Sequence, residues 1–475
     1  MAILSHSLAQ LSLPIQLSAL GTYKDGQYLD MELAGLAALS GRAVADNPII
    51  QTRYTADPAP FVYNNTVWLF ADHDEPGSTW YTMKDWRLYS STDMVNWQDW
   101  GVVMDIPTFS WASKDAWAAQ AIERNGKFYF YASMTRKGAS YGIGVGVSDS
   151  ITGPYRDPIN KPLAANGNID PTVMIDDDGQ AYMYWGNPGF YYVKLNKDMI
   201  SYSGGIVSVP TTQQAFGPKF AEGPWVYKRN GTYYNIFAAN CCPEDIRYST
   251  APSATGPWTY KGVVMATEGA SFTNHPAVID YKGGSYFFYH NGALPGGSGY
   301  TRSIAVEKFE YGRDGSIPQM KMTAAGAPQI GSFDPYVRVE AETIGNSKGL
   351  SLSTEKTDDP EGGRMHVTSI NNGDYIMVKG VEFGAAPGAT GLSLRVAAQN
   401  GGSKIEVRVG SVTGTLVTTC NIDGTGGARS WRTLQCAVPP GSATGKQDLF
   451  FKFVGSGNNN LFNFNWWQFS RAAKA

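Results

Sequence analysis

The sequence predicts an all-β protein in which a five-bladed β-propeller precedes a β-sandwich. Five similar phrases, each a turn residue followed by an aromatic-rich strand, recur about every fifty residues, and 54 glycines supply turns throughout the chain. A period near fifty with short strands is typical of a propeller rather than a solenoid or an α/β fold. The aligned aromatics, spaced by 61, 53, 52 and 52 residues, are Trp68, Tyr129, Tyr182, Tyr234 and Tyr286.

Each phrase predicts a β-hairpin. Asn125-Gly126, Asp178-Gly179 and Asn230-Gly231 precede the aromatic strands, and such pairs accept the positive φ of a tight hairpin turn. A second strand therefore precedes each turn, and five hairpins predict five blades.

One position at the start of the first strand carries the polar groups of the repeat. Because the innermost strands of a propeller surround one axis, side chains at the same strand position converge. Proline follows the three carboxylates directly or after one glycine, which holds the chain as it enters the strand. The residues eleven or twelve positions before the aligned aromatics are Asp57, Trp117, Asp170, Glu222 and His275.

Three convergent carboxylates suit the hydrolysis of glycosides. One carboxylic acid protonates the leaving oxygen, one carboxylate activates water or attacks the sugar, and a third shifts the pKa of its neighbour. The alternative is that Asp57, Asp170 and Glu222 only cap strands or turns, but their matched phase in the repeat favours a site.

Length and charge limit the classes of partner. A chain of 475 residues predicts two domains, and a net charge of −3 gives no electrostatic reason to expect nucleic acid or an anionic membrane as a partner. The chain has no stretch of eighteen or more uninterrupted apolar residues, so we expect no membrane span. Neutral sugars fit this composition, and we expect a monomer.

Composition places four segments along the chain. We predict an N-terminal extension or leader at 1–45, the propeller at 46–325, a Gly/Ala/Pro/Ser linker at 326–335 and the β-sandwich at 336–475. The first segment ends with small residues before Asp46, which fits either a cleaved secretory leader or an extension. We expect the protein to be secreted and extracellular.

The four cysteines form two sets. Cys420 and Cys436 flank a Gly-rich loop and are expected to pair across it in an exported protein. Cys241 and Cys242 are adjacent, so they are either two free thiols on a strand or a vicinal disulfide near the axial mouth. No Cys-x-x-Cys or His spacing supports a metal site there.

Residues 46 to about 325 resemble glycoside hydrolase family 43, whose members are five-bladed propellers with an Asp, Asp, Glu triad. The resemblance lies in Ala-Asp57-Pro, Ile-Asp170-Pro-Thr and Ala-Glu222-Gly-Pro. It implies that Asp57 is the general base, Asp170 the pKa modulator and Glu222 the general acid of an inverting reaction. An inverting pair stands roughly 6.5–9.5 Å apart, which leaves room for water.

The same resemblance extends to four more residues of the propeller. His275 matches a family histidine near the axis that is often associated with calcium, although a structural core histidine is the alternative. Arg302 resembles an arginine that reaches the innermost sugar, or else is a solvated strand residue. Trp117 and Gln120 belong to a segment that resembles the pocket lining of the second blade, and we expect both to bind substrate.

The segment from about 336 to 471 contains the motifs Val339-Glu-Ala-Glu342, Asn372-Gly-Asp-Tyr375, Ser430-Trp431 and Leu461-Phe-Asn463-Phe-Asn465-Trp-Trp. On these motifs it resembles carbohydrate-binding module family 6. The resemblance implies a structural calcium at Glu340 and Glu342, with Asn465 standing where an aspartate usually joins them. It also implies a sugar cleft with Trp431 and Asn463. The position of the second cleft aromatic is Ser369, which predicts weak or displaced binding; a packing module without sugar affinity is the alternative.

These features predict an exo-acting glycosidase that removes terminal α-L-arabinofuranosyl groups from arabinoxylan-type plant polysaccharides without an organic cofactor. A β-xylosidase, an arabinan- or galactan-active enzyme and a non-catalytic carbohydrate-binding protein are the alternatives. Loop residues decide among the substrates, and the long insertion that begins at Asp72 is expected to wall the pocket.

Overall fold

The structure, a computed structural model, describes residues 47–457 and 460–471 and confirms the all-β prediction. In these ranges the helical elements are one short helix, α1 (Gln213–Phe216), and a 3₁₀ turn at Ile106–Thr108. No helix in this part of the chain has the length and apolar character needed to cross a membrane. The expected leader or extension at 1–45 lies outside the described residues.

Five consecutive antiparallel sheets occupy the region that carries the repeat. The first contains β1 (Ala56–Tyr63), β2 (Thr66–Asp74), β3 (Met83–Ser91) and β4 (Trp97–Asp105), and the second contains β5 (Ala112–Arg124), β6 (Lys127–Arg136) and β7 (Tyr141–Ser148). The third contains β8 (Thr172–Ile175), β9 (Ala181–Trp185), β10 (Phe190–Leu195) and β11 (Tyr202–Val209). The fourth contains β12 (Phe220–Arg229), β13 (Thr232–Ala239), β14 (Asp245–Ala251) and β15 (Thr259–Met265), and the fifth contains β16 (Ala277–Tyr281), β17 (Gly284–Asn291) and β18 (Ser303–Phe309).

The predicted hairpin turns lie between the first two strands of each sheet. Asn125 and Asn230 have φ of 55° and 49°, and the glycines that follow them have φ of 76° and 78°. A type I′ turn needs positive φ at both central positions, so the Asn-Gly pairs set these turns.

The first strands of the five sheets contact one another in a ring. β1 packs against β5, β5 against β8 and β8 against β12. The Trp225 indole N–H donates to the Val278 carbonyl at 3.0 Å, which joins β12 to β16, and β16 packs against β1. The segment before β1 also bonds to the fifth sheet, since the Thr55 N–H donates to the Arg302 carbonyl at 2.9 Å. The first strands thus surround a common centre.

Two further sheets follow in the C-terminal region and enclose a separate apolar core that includes Leu394, Phe451 and Trp467. Their strands, in chain order, are β19 (Val339–Glu340), β21 (Asn346–Ser347), β22 (Ser353–Lys356), β23 (Met365–Thr368), β24 (Tyr375–Glu382), β25 (Ala389–Ala397), β26 (Ser403–Val409), β27 (Thr415–Ile422), β28 (Arg432–Ala437), β29 (Lys446–Val454) and β30 (Asn463–Arg471). One sheet runs β22-β23-β30-β25-β28, with β19 paired to β30, and the other runs β21-β24-β29-β26-β27.

The C-terminal region is bonded to the first sheet. β20 (Thr343–Ile344) pairs with β4, which places Thr343 opposite Gln98. In the predicted linker, the Ile330 N–H donates to the Asp93 carbonyl at 2.9 Å, and the Gln329 amide donates to the Asp93 carboxylate at 3.1 Å. The linker is therefore hydrogen-bonded to the turn between β3 and β4.

Both pairs of cysteines are disulfide-bonded. Cys420 on β27 and Cys436 on β28 form the expected bridge across the Gly-rich loop. Cys241 and Cys242 form a vicinal disulfide at the end of the β13–β14 hairpin, where both residues are exposed. Of the two arrangements considered for these adjacent cysteines, the structure has the disulfide.

Candidate active site

The five residues selected by the repeat converge on one pocket of about 320 Å³. It is of the size class of small-molecule sites. Four of them, Asp57, Asp170, Glu222 and His275, lie at or beside the starts of β1, β8, β12 and β16, and the fifth, Trp117, lies within β5.

Local backbone geometry turns the carboxylates into this pocket. Asp57 and Asp170 have φ of 48° and 69°, and Gly223 has φ of 60°. The pairing of β1 with β2 shifts between Ala56 and Ala59, and the pairing of β12 with β13 shifts on both sides of Glu222. Bulges of this kind re-aim side chains and are common beside active sites.

Asp57 is buried among cationic and imidazole groups. Its Oδ1 accepts from Arg302 Nη1 at 3.1 Å and lies 3.2 Å from His290 Nδ1. Burial alone raises the pKa of Asp57, but the Arg302 guanidinium, together with His290, holds that pKa well below its ordinary value. Asp57 is therefore ionised and able to accept a proton from water.

Asp170 is buried in the same pocket. Its Oδ2 accepts from the Gly223 N–H at 3.0 Å, and its own N–H donates to the Ser133 hydroxyl at 2.9 Å. Burial and the nearby charge of Glu222 raise the pKa of Asp170 well above its ordinary value. These contacts hold Asp170 against the residue that follows Glu222.

Glu222 has the environment of an acid. The Asn187 amide donates to its Oε2, and burial raises its pKa, although a hydrogen bond from Glu244 offsets part of the rise. Asp57 and Glu222 thus have pKa values shifted in opposite directions. Two carboxyl groups with such shifts divide the roles of base and acid.

Arg302 lines the pocket, and its N–H groups are hydrogen-bonded to two carboxylates. Its backbone N–H, Nε and Nη2 donate to Asp74 at 2.7, 2.9 and 2.9 Å, while Nη1 donates to Asp57. Both Arg302 and Asp74 are buried. Arg302 is therefore not the solvated strand residue of the alternative, and Asp74 fixes the guanidinium against Asp57.

The two predicted binding residues of β5 point in different directions. Trp117 lines the pocket, and its indole N–H donates to the Tyr81 carbonyl at 2.8 Å. The Gln120 amide donates to the Val173 carbonyl at 3.3 Å and accepts from the Val173 N–H at 2.7 Å. Gln120 thus joins β5 to β8 and lines a second cavity, together with Val173, rather than the pocket.

His275 forms part of the pocket wall. Its Nδ1 lies 3.7 Å from Asp57 Oδ1, and burial lowers its pKa to about 4, so the ring is neutral. A neutral imidazole is able to ligate a metal. Calcium takes six to eight oxygen ligands, whereas these residues offer one nitrogen and one carboxylate that is already paired with Arg302. They do not by themselves make a calcium site.

Several pocket residues come from second strands and loops, outside the repeat position. His290 ends the aromatic run of the fifth phrase, and Asn187 follows the third. Trp80 and Tyr81 lie in the insertion after β2, where Trp80 is 55% exposed at the rim. Cys241 of the vicinal disulfide completes the wall. The insertion thus walls the pocket, as expected.

Protein contacts hold both of the residues predicted to form the sugar cleft of the C-terminal region, Trp431 and Asn463. The Trp431 indole N–H donates to Asp358 at 2.9 Å, and its ring meets His366 edge-on at 5.2 Å. The Asn463 amide is buried and is bonded on both sides, donating to the Ala428 carbonyl and accepting from Thr368.

Two of the three expected calcium ligands in this region have uncommitted oxygens. The Glu342 carboxylate and the Asn465 Oδ1 are buried and receive no donor from the described residues. Glu340 is paired with Arg338 at 2.8 Å. Carboxylate and amide oxygens are the ligands that calcium prefers, so Glu342 and Asn465 fit such an ion.

Two family models match the chain. Residues 45–317 match glycosyl hydrolases family 43, and residues 340–471 match carbohydrate binding module (family 6).

Two curated relatives span both regions. An arabinoxylan arabinofuranohydrolase of Bacillus subtilis (strain 168) is 36% identical, covering 90% of this chain and 92% of its own. A protein of the same name from Paenibacillus polymyxa is 32% identical, covering 92% of this chain and 75% of its own.

Solved structures of family 43 enzymes are also similar to this chain. A glycoside hydrolase family 43 arabinoxylan arabinofuranohydrolase from Bacillus subtilis, solved with cellotetraose, has a TM-score of 0.79 at 34% identity, covering 90% of this chain and 99% of its own. A family 43 β-xylosidase/α-arabinofuranosidase from a compost metagenome, solved with xylotriose, has a TM-score of 0.56 at 28% identity, covering 59% of this chain and 98% of its own.

Proposed function

Because the chain belongs to glycosyl hydrolases family 43 and is a glycosidase, we propose that it removes terminal α-L-arabinofuranosyl groups from arabinoxylan-type polysaccharides with inversion. The observation that carries the chemistry is the opposite shift of the pKa values of Asp57 and Glu222 in one pocket. The names of the two relatives that span nearly the whole chain support the substrate.

Asp57 is the general base. Its ionised carboxylate takes a proton from a water molecule as the water oxygen attacks the anomeric carbon. The Arg302 guanidinium, 3.1 Å away, keeps Asp57 ionised before the attack and competes with the incoming proton afterwards. The Asp74 carboxylate pairs with the Arg302 guanidinium and offsets its positive charge. The attacking water therefore contacts the anionic carboxylate of Asp57 and not an uncompensated cation.

Glu222 is the general acid. As the bond between the anomeric carbon and the glycosidic oxygen breaks, the Glu222 proton passes to that oxygen and the polysaccharide leaves as an alcohol. Burial keeps the proton on Glu222 until this step. Asp170 is the modulator: its carboxylate accepts from the Gly223 N–H beside the acid, and burial together with the charge of Glu222 raises the pKa of Asp170 itself. The proton gained by Asp57 returns to solvent and Glu222 is reprotonated, so atoms and charge balance.

The walled shape of the pocket supports cleavage at the ends of polysaccharide chains or of their side groups. The pocket is walled by the insertion that carries Trp80 and Tyr81 and by the Cys241–Cys242 hairpin. A β-xylosidase is the second candidate, because xylosidase/arabinosidase 43A of Humicola insolens is 28% identical over 57% of this chain and 98% of its own.

The proposal also covers the closure of the propeller, the role of the C-terminal region and the location of the protein. The ring of first strands is a closed five-bladed propeller, and residues 336–475 are a β-sandwich that attaches the enzyme to plant cell-wall polysaccharide through the Trp431 surface. Glu342 and Asn465, with Glu340, hold a calcium ion that stabilises the sandwich. The protein is a secreted, extracellular monomer, and its disulfides suit that location.

The test is product analysis on wheat arabinoxylan by anion-exchange chromatography, with a Glu222→Gln variant as the control. Arabinose as the first product, absent with the variant, supports the proposal. Xylose as the first product transfers the assignment to the second candidate, and no free sugar from this polymer refutes the proposed substrate.

A further inference from the structure

The vicinal disulfide is an exposed apolar group in the wall of the pocket. Cys241 lines the same pocket as Glu222, and both cysteines of the bridge are exposed. Cysteine is among the residue types most often found fully buried, so an exposed pair at a pocket is unusual. Neither sulfur takes part in the proton transfers of the proposed reaction, which leaves this surface for contact with a substrate.

The disulfide belongs to the hairpin that carries the general acid. Glu222 on β12 has Ala238 on β13 as its cross-strand partner, and β13 ends one residue later. Cys241 follows that end by two residues, so the bridge lies at the end of the hairpin where Glu222 enters the pocket. Because the pocket holds only about 320 Å³, a substrate bound to Glu222 lies close to Cys241.

The insertion that carries Trp80 and Tyr81 walls the pocket beside the base. The Tyr81 ring lies 5.4 Å from the Arg302 guanidinium, which donates to Asp57 at 3.1 Å. The pocket thus has one wall next to the base and another on the hairpin of the acid.

Inversion assigns different parts of the substrate to these two walls. Water attacks one face of the sugar with Asp57 as the base, while Glu222 protonates the leaving oxygen on the opposite face. That oxygen belongs to the polysaccharide backbone, because the arabinofuranosyl group is the part that is removed. The backbone therefore leaves along the hairpin that carries Glu222 and the disulfide.

Hydrogen bonds on both sides of the bridge hold it in place. Before it, the Asn240 N–H donates to the Lys219 carbonyl at 2.8 Å. After it, the Glu244 N–H donates to the Phe272 carbonyl at 3.1 Å, and the Glu244 carboxylate accepts from the Asn274 N–H at 2.7 Å. A ligand that contacts the bridge therefore orders little of the loop, which lowers the entropic cost of binding.

The bridge offers a surface without charge and without N–H or O–H donors. Its sulfurs are polarisable and, being joined in a disulfide, are not thiolates. The sugar rings of a xylan backbone present C–H groups on their faces and hydroxyl groups at their edges. The face of a ring therefore matches the disulfide, whereas a hydroxyl edge would lose its hydrogen bonds to water there.

We infer that the Cys241–Cys242 disulfide is a binding surface for the leaving polysaccharide and contacts the face of the backbone sugar next to the scissile bond. The inference rests on the proposed function, in which Glu222 is the general acid. The disulfide contributes to the binding of the backbone and helps determine which backbone the enzyme accepts, while the proton transfers belong to Asp57 and Glu222.

The test compares two double variants, Cys241→Ser with Cys242→Ser and Cys241→Ala with Cys242→Ala. Both lack the covalent bridge, but alanine stays apolar whereas serine presents hydroxyl groups. The substrate is an arabinoxylo-oligosaccharide, whose leaving group is a xylan chain. We expect its KM to rise about tenfold with the serine pair and about threefold with the alanine pair, with the loss in KM rather than in kcat.

A second substrate and a control separate contact from a structural role. The compound 4-nitrophenyl α-L-arabinofuranoside has no backbone sugar, so its loss with the serine pair is at least about threefold smaller than that of the oligosaccharide. A bridge that only fixed the hairpin would displace Glu222 equally in both pairs and lower kcat instead. The matched control is Cys420→Ser with Cys436→Ser, which removes a disulfide outside the pocket and leaves the ratio of kcat/KM for the two substrates unchanged.

Each outcome decides the inference. A rise in KM for the oligosaccharide that is larger with serine than with alanine supports it. A fall in kcat that is equal for both pairs, or an unchanged KM in a pair that thermal melting shows to be folded, overturns it. If only the alanine pair folds, its threefold rise in KM supports the inference and an unchanged KM overturns it. If the unmutated protein cleaves neither substrate, the proposed function is overturned, and with it the inference.

Discussion

Removing the Arg302 guanidinium tests the most direct electrostatic contact of the site. The variant is Arg302→Met, which keeps an unbranched apolar stem but leaves Asp57 Oδ1 without a cation at 3.1 Å. At an effective dielectric constant near 20, two unit charges at this distance attract by about 5 kcal/mol. Carboxyl groups beside arginine have pKa values lowered by about 1–3 units, at about 1.4 kcal/mol per unit.

The sign follows from the role of Asp57 as a base. Activity is lost as the pH falls through the pKa of Asp57, because a protonated carboxyl group accepts no proton from water. Loss of the cation raises that pKa, so the acid limb of kcat/KM moves upward by about 1–3 pH units. The assay is hydrolysis of 4-nitrophenyl α-L-arabinofuranoside across pH, since kcat/KM reports groups of the free enzyme.

A control is needed because Asp74 also loses its partner. A buried charge without a partner costs about 3–5 kcal/mol of folding stability, so Arg302→Met is combined with Asp74→Asn, and melting is followed at each pH. A uniform loss of activity with an unmoved acid limb in the folded double variant would refute the role assigned to Arg302.

Three further predictions concern separate parts of the molecule. Glu222→Gln lowers kcat on arabinoxylan by about 10²–10⁴ with little change in KM, and steady-state kinetics that show a loss only in KM would contradict general acid catalysis. Replacing Cys420 and Cys436 by serine lowers the free energy of unfolding of the C-terminal region by about 3 kcal/mol, because the bridge closes a loop with a sequence separation of 16; denaturant unfolding measures this, and an unchanged midpoint would count against it. Calcium at about 100 times its Kd raises the free energy of unfolding of the C-terminal region by about 2.7 kcal/mol in the unmutated protein but not in Glu342→Gln. Calorimetry measures this difference, and equal melting temperatures with and without EDTA would contradict a bound ion.

The carboxylates could be predicted because their signals are local. A repeat of about fifty residues aligned Asp57, Asp170 and Glu222, and the prolines and glycine beside them match the bulges and positive φ values that the structure has at these points. Periodicity therefore identified the groups on the first strands.

Residues that reach the pocket from elsewhere had no such signal. His290 lies near the end of the second strand of the fifth sheet, and Asn187 follows the second strand of the third, so neither stands at the repeat position on a first strand. Gln120 shows the opposite failure: it lies three residues beyond Trp117 on β5, where its amide bonds to the Val173 backbone of β8 away from the pocket.

The stereochemistry of the first product tests the central claim most directly. A proton NMR time course with wheat arabinoxylan reads which anomer of arabinose appears before mutarotation. The roles of Asp57 and Glu222 as base and acid predict β-L-arabinose first, because water attacks opposite the leaving oxygen. Early α-L-arabinose would mean retention through a covalent intermediate and would contradict the assignment.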